Sequence, residues 1–426
     1  MTNPRLSRRD FVAGAGVALG LGLLPPPSGA RQSDARVVVI GGGFGGASFA
    51  RFARRADPGI DVTLVEPQTR YAACPFSNLV LGGLRALDQQ YFDYAALTQE
   101  DIRVLQGAAT DVDPAAKTVT VDNGEVLAYD RLLMAPGVEM RPGALAGYDG
   151  TAVEAMPHAW KAGPQTALLR RQLEAMDDGG LVVIACPASP YRCPPGPYER
   201  ASLIAHYLKT HKPRSKLLIL DANDNFSKQG LFQQAWGEIY GDMIEWVGVS
   251  MGGQVVEVDA APMTLHTDFE AIHADVANVI PPQRATAIAR RAGVADATGW
   301  CPIDPLTFES TLVAGIHVIG DAAIANAMPK SAFSANAQAK VCAVQVARLL
   351  ADQPPLATTL ANTCYSLVAP DYAISVAGVY RPGEDRLESI EGAGGTSPAD
   401  APLEQRATEA RYAADWFATI TTEVFG

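Results

Sequence analysis

The sequence predicts an α/β protein built on two doubly wound βαβ units, and three observations predict it. A β-branched run, Arg36–Ile40, leads straight into a glycine-rich turn. A second apolar run at 180–185 is followed by a helical pattern and by another strand-like run at 216–220. The composition is that of a compact enzyme: 426 residues, 48% hydrophobic and 19% charged, enough for two or three separate cores.

The first unit carries a full dinucleotide fingerprint. The opening strand runs into Gly41-Gly42-Gly43-Phe44-Gly45-Gly46, a helix is expected from 47 to about 55, and the next strand begins at Asp61 and ends in Glu66. Gly41 permits the tight turn, Gly43 lets backbone approach a pyrophosphate, and Gly46 lets helix and strand pack closely. The phosphates are expected on the helix N-terminus, whose free N–H groups and dipole favour anions, with Glu66 accepting from ribose hydroxyls.

Two later segments make the dinucleotide FAD. The stretch 129–137 (YDRLLMAPG) reads as the strand and turn that leave an FAD domain. The stretch 315–322 (GIHVIGDA) ends a strand at Gly320-Asp321, where the carboxylate is expected to meet the ribityl chain. A helix at 334–350 is expected to aim its N-terminus at the flavin pyrimidine. The expected fold class is thus α/β: a two-dinucleotide-binding-domain flavoprotein, glutathione reductase-like and doubly wound, with a C-terminal α+β interface domain.

The second unit lacks the phosphate turn. Between its first strand and the helix expected at 199–209 stand Cys186-Pro187-Ala188-Ser189-Pro190-Tyr191-Arg192-Cys193-Pro194-Pro195-Gly196-Pro197-Tyr198. Each proline removes a backbone N–H and fixes φ, so this loop cannot cradle phosphate. The scaffold persists, with its last strand ending in Asp221, but NAD(P)H is not expected to bind it. The expected division is an export signal at 1–30, an FAD domain formed by the two stretches 31–155 and 276–353, a second βαβ domain at 156–275 inserted between them, and an interface domain at 354–426.

The export signal is read from Ser7-Arg8-Arg9-Asp10-Phe11, the apolar run 12–24 and the small-residue end Ser28-Gly29-Ala30. This is a twin-arginine pattern cleaved near Ala30, which predicts a periplasmic protein. No later segment reaches membrane-spanning length, so no membrane span is expected. Formal net charge is −12, and −14 without the first thirty residues, which carry three Arg and one Asp. Such a surface disfavours nucleic acid and anionic lipid and suits a basic protein partner.

Six cysteines, Cys74, Cys186, Cys193, Cys301, Cys342 and Cys364, show no metal spacing, no metal site is expected, and there is no Cys-x-x-Cys-His for haem. The six histidines show no metal spacing either. In an oxidising compartment disulfides persist, but six cysteines pair in fifteen ways and the spacing does not choose among them.

Taken in order, 71–78 (YAACPFSN), 157–163 (PHAWKAG), the proline-cysteine loop with its continuation to Ser202, 299–302 (GWCP), 328–331 (MPKS) and 362–366 (NTCYS) resemble the flavoprotein subunit of flavocytochrome c sulfide dehydrogenase, a family that includes the SoxF flavoproteins. The resemblance runs from about Arg36 to the C-terminus. It implies a covalent bond from Cys74 to the flavin 8α-methyl group and a redox disulfide of Cys193 with Cys364 beside the flavin. It further implies that sulfide attacks this bridge and that electrons leave to a separate c-type cytochrome subunit. Arg192 or Lys330 would supply positive charge to a reactive thiolate, and Lys330 joins the expected cofactor-binding residues.

Cys186, Cys301 and Cys342 read as spare, and alternative disulfides open if Cys186 or Cys342 lies near Cys193. Glu199 reads either as a proton handler or as a first-turn helix acid. Trp416, Phe417 and Phe425 are of types favoured in interface cores, or else they simply pack on the FAD domain. Two other readings stand beside sulfide:cytochrome c oxidoreductase. One is a sulfide:quinone oxidoreductase, although 402–426 lacks the basic face a membrane helix needs. The other is a flavoprotein that activates other sulfur-oxidation proteins by thiol-disulfide chemistry.

Overall fold

The structure, a computed structural model, describes residues 34–426, so the export signal expected at 1–30 lies outside the described residues. The chain starts with β1 (Arg36–Ile40), buried from Val37 onward as a parallel strand covered on both faces must be. It continues through α1 (Phe44–Ala56), β2 (Asp61–Glu66), β3 (Arg103–Gln106), β4 (Arg131–Met134) and the short β5 (Val138–Met140). The second unit follows as β6 (Leu181–Cys186), α2 (Gly196–His211), β7 (Lys216–Asp221), α3 (Gln229–Tyr240), β8 (Ile244–Val247) and β9 (Val276–Val279). The chain returns through β10 (Gln283–Ala285), β11 (Ile316–Val318) and α4 (Ala332–Leu350), then closes with β12 (Leu360–Ala369), β13 (Tyr372–Pro382) and α5 (Leu403–Phe425).

The first sheet has the order β11-β4-β1-β2-β3, with every pairing parallel. Its order reverses between β1 and β4, and the turns after β1, β4 and β11 all leave from one carboxyl edge, where sheets of this kind bind ligands. Gly41 has φ +100, and a Cβ there would meet the Ala135 carbonyl oxygen at 2.4 Å. A Cβ on Gly46 would lie 1.8 Å from the Gly41 oxygen, so α1 sits on the turn as only glycine allows. α1 starts at Phe44, earlier than expected, because Gly43 is the extended N-cap residue. α4 is tied to α1 by Asn336, whose amide donates to Ser48 Oγ at 2.8 Å.

The second sheet is also parallel, in the order β8-β7-β6-β9. Because β9 pairs with β6, this domain reaches Val279, past the expected boundary at 275. The crossings between the two domains are β5 and β10, which pair antiparallel. α2 begins at Gly196, with Pro197 in the first turn, where a missing N–H is no loss. Asp221, the acid at the end of β7, accepts from Tyr198 Oη at 2.6 Å and Trp246 Nε1 at 2.9 Å, and the Tyr198 ring stacks 3.6 Å from that of Phe226. Aromatic groups hold the place where a ribose-reading acid would otherwise be free.

The C-terminal hairpin of β12 and β13 is antiparallel and is covered by α5. Of the two roles open to them, Phe417 and Phe425 take packing on the FAD domain. Phe425 packs 5.3 Å from both Tyr71 and Phe92, and Phe417 stacks 4.7 Å from Phe76. Both are buried, and each contributes about 1.5–3 kcal/mol by leaving water, so α5 closes over the FAD domain with them.

His317 on β11 is fully buried, with Nδ1 2.9 Å from the Thr307 carbonyl and Nε2 without a hydrogen-bond partner among the described residues. Burial pushes its pKa from 6.5 down to about 4. The unfolded chain therefore takes up this proton first, and the stability due to the neutral ring is full above pH 6.5 and lost as pH falls towards 4. Melting temperature measured between pH 7 and 4 should fall less steeply in His317→Gln than in wild type.

Candidate active site

A cavity of about 750 Å³ opens at the carboxyl edge of the first sheet. It is lined by Gly41 to Gly45 and Glu66, by Gly320 and Asp321, and by Cys74, Arg192, Cys193, Glu199 and Cys364. Glu66 Oε2 accepts from Gly42 N at 2.8 Å and Oε1 from Gln68 N at 2.9 Å. Burial raises the Glu66 pKa and those two N–H groups oppose the rise; each oxygen keeps a second lone pair.

Asp321 Oδ1 is buried and has no hydrogen-bond partner among the described residues. A buried acceptor left in this way marks a missing donor. The N-terminus of α1 has no side-chain cap, leaving its amides open to an anion. These features fit FAD: amides for the phosphates, Glu66 for a ribose and Asp321 for ribityl hydroxyls. The first turn of α4 also faces the cavity, through Ala332, Phe333 and Ala335, with Ser331 as N-cap accepting from Ser334 N at 3.0 Å.

Cys193 and Cys364, distant in sequence, line the same cavity, and Cys364 acts electrostatically on Cys193. Cys193 sits in the proline loop at φ +58, a left-handed conformation costly for a non-glycine residue. Its N–H donates to the Lys330 carbonyl at 2.8 Å, and its own carbonyl accepts from Gly196 N at 2.8 Å, where α2 begins. Cys364 lies mid-way along β12, opposite Val376. Both stand as thiols. Burial pushes the Cys193 thiol up, Cys364 and Glu199 push it further, and Arg192 and Lys228 oppose them.

Arg192 supplies the positive charge that the loop sequence promised. It donates to the Trp160 carbonyl, which also lies 3.8 Å from the Cys74 thiol, and its Nη1 is 3.9 Å from Asp321 Oδ2. Burial works against its charge, but Cys74 and Asp321 outweigh this and hold its pKa up. Glu199 Oε2 accepts from Asn78 Nδ2 at 2.8 Å and Oε1 from Leu367 N at 2.9 Å; burial raises its pKa. It faces Cys193, so its place in the first turn of α2 serves the cavity as well as the helix.

Of the expected site residues, Gly41, Gly43, Glu66, Cys74, Cys193, Gly320, Asp321 and Cys364 line this one cavity. Gly46 lies behind it as a packing residue. Lys330 is not among the residues that line it. Its ammonium donates to the carbonyls of Asp321 at 2.9 Å and Ala323 at 2.7 Å, lies 4.0 Å over the Trp300 ring, and is pushed down to about 8 by burial. Lys330 thus holds the backbone of Asp321 and, through its own carbonyl, that of Cys193.

Cys186, Cys301 and Cys342 are buried and outside the cavity. Sequence reading missed Lys228, whose neighbours come from the distant α2 and β12 and leave no local signal. Among the described residues no cluster of His, Cys, Asp and Glu is arranged to hold a metal, and no helix is long and apolar enough to cross a membrane.

Residues 166–281 match the family model described as "Sulfide dehydrogenase [flavocytochrome c] flavoprotein chain, central", and residues 356–425 match "Flavocytochrome c sulphide dehydrogenase, flavin-binding". Residues 35–170 match "Pyridine nucleotide-disulphide oxidoreductase". The chain is 67% identical over 45 residues to the sulfide dehydrogenase [flavocytochrome c] flavoprotein chain of Chlorobaculum thiosulfatiphilum, covering 11% of this chain and 94% of that one. It is 23% identical over 313 residues to the mitochondrial sulfide:quinone oxidoreductase of Mus musculus, covering 67% of this chain and 65% of the length of that relative. The solved sulfide:quinone oxidoreductase of Aquifex aeolicus is similar with a TM-score of 0.67 at 17% identity, covering 91% of this chain and 92% of that one. At that identity the likeness shows a shared fold.

Proposed function

The chain belongs to the flavocytochrome c sulfide dehydrogenase flavoprotein family, and from that premise we propose that it oxidises sulfide to sulfur or polysulfide through Cys193 and Cys364 and passes the electrons to a c-type cytochrome. It is an FAD protein. One observation carries the reading: three of the six cysteines, far apart in sequence, line the FAD cavity, while the other three are buried elsewhere.

In the proposed cycle Cys193 and Cys364 start as a disulfide. Hydrosulfide bonds to one sulfur, the bridge breaks, and the electron pair of the broken bond stays on the other sulfur as a thiolate. Bound FAD supplies an acceptor for that electron pair and a relay to a one-electron acceptor. Arg192 faces both Cys74 and Cys193, so its charge favours thiolates there. Glu199 is poised to take or return a proton, held by two donors that leave its remaining lone pairs free.

Covalent attachment through Cys74 belongs to the proposal, as do twin-arginine export to the periplasm and the cytochrome partner. The reading that NAD(P)H does not feed this flavin is supported by the proline loop and by the donors that occupy Asp221. A sulfide:quinone oxidoreductase reading is favoured by the apolar pair Phe333 and Trp416, stacked 6.1 Å apart on the cavity wall.

Anaerobic titration of the holoprotein with sulfide tests the main reading. The flavin absorbance should bleach with one equivalent, and acid precipitation should carry the flavin down with the protein. Bleached protein should reduce a c-type cytochrome faster than decylubiquinone. A flavin that sulfide leaves oxidised overturns the assignment.

A further inference from the structure

Lys228 takes no part in the cycle described above, yet it reaches Cys364 from another domain. It stands just before α3 at φ 63, left-handed without being glycine, and its side chain is buried, with a relative exposure of 8%. The ammonium crosses from the second domain to β12 and donates to the Cys364 carbonyl at 3.0 Å and to Ser366 Oγ at 2.8 Å. Both acceptors are neutral, and among the described residues no carboxylate makes an ion pair with it. A buried cation with only neutral partners is unfavourable unless an anion arises beside it.

We propose that Lys228 is a positioning residue for the thiol pair: its charge stabilises the thiolate left when the Cys193–Cys364 bridge is opened. The proposal rests on the redox role of that pair given above. The balance is that of the proposed step. Hydrosulfide forms an S–S bond to one cysteine sulfur and keeps its proton, the inter-cysteine bond breaks, and the released electron pair becomes a negative charge near Lys228.

The charged and titratable groups around this spot are Cys193 and Arg192 of the proline loop, Glu199 and Arg200 of α2, Cys364 of β12, Tyr380 of β13 and Glu409 of α5. Arg192 is already committed to Trp160 and Asp321, Arg200 to Asn78, Asn278 and the carbonyls of 158 and 159, and Glu409 to Ser397 and Arg406. Lys228 and Arg200 are thus both held by neutral partners alone, and Glu199 acts on both; of the two, Lys228 is the one hydrogen-bonded to Cys364 itself. The burial that lowers its pKa is opposed first by Cys364.

The test is thiol alkylation rather than turnover. Holoprotein reduced with dithiothreitol is treated with iodoacetamide between pH 5 and 10, and the labelled peptides of Cys193 and Cys364 are quantified by mass spectrometry. Lys228→Gln, which keeps hydrogen-bonding capacity without the charge, should move the alkylation midpoint up by about one pH unit and slow labelling at pH 7 about tenfold. Its plateau at high pH should match wild type. Lys228→Arg should restore the midpoint, and Ser366→Ala, which removes a hydrogen bond but keeps the cation, should leave it in place.

An unmoved midpoint in Lys228→Gln, or an equal shift in Ser366→Ala, overturns the proposal. Should Lys228→Gln lose its flavin, Lys228→Met is measured in its place, with the same shift expected. Sulfide titration of wild type separates the two readings: an unbleached flavin overturns sulfide oxidation, whereas an unmoved midpoint overturns only the role of Lys228.

Discussion

Cys193→Ser should abolish the bleaching of the flavin by sulfide, slowing it by about 10³-fold or more, as expected when the sulfur that carries a covalent step is removed. The flavin itself should stay, because the substitution leaves Glu66, Asp321 and the glycine turn untouched. The serine hydroxyl fits the space of the thiol, and the left-handed backbone at φ 58 is held by the hydrogen bonds to Lys330 and Gly196, which the substitution keeps. Stopped-flow absorbance with excess sulfide checks the result. Bleaching within tenfold of the wild-type rate would remove the thiol pair from the mechanism. Cys364→Ser should behave likewise, and the double variant should be no slower than either single one, because the two sulfurs act as a unit.

Gly46→Ala should yield protein with less than about a tenth of the wild-type flavin, because the cost of overpacking here falls on backbone. The added Cβ would lie 1.8 Å from the Gly41 carbonyl oxygen, and no side-chain rotation relieves that contact. Either α1 moves off the sheet or the turn after β1 opens, and both displace the amides that would meet the pyrophosphate. Flavin per protein from absorbance at 450 and 280 nm, with melting temperature alongside, is the measurement. Full flavin content would show that helix and turn can separate without loss of the phosphate site. The neighbouring Gly45 is a useful contrast: a Cβ there would meet only the side chains of Ala135 and Ile319, at 3.3 Å and 3.5 Å, so Gly45→Ala should be milder.

The thiol pair and the phosphate turn differ in how far they could be read from the chain alone. Local chemistry decides a phosphate turn: the glycines at 41, 43 and 46, the strand before them and the acid at 66 lie within one βαβ unit, so their spacing carries the geometry. The same locality made the loss of the second phosphate turn legible, since five prolines in one loop remove its donors whatever the rest of the fold does. Aromatic residues in a helix are less informative. Phe417 and Phe425 have the composition of an interface, yet a helix presents them wherever its axis is laid, and here α5 lies with them against Tyr71, Phe76 and Phe92.

What the amino-acid sequence determined is therefore the pair of βαβ units, the FAD fingerprint, and, through resemblance, the three cysteines that prove to line the cavity. Only the tertiary structure decided that Cys193 and Cys364 share one cavity, that Lys330 donates to the carbonyls of Asp321 and Ala323, and that Lys228 is bonded to the backbone of Cys364. The physical reason is that strand and turn formation depend on neighbours in the chain, whereas the field at a buried sulfur depends on charges that separate elements, here the proline loop, α2, α3 and β12, bring within reach of one another.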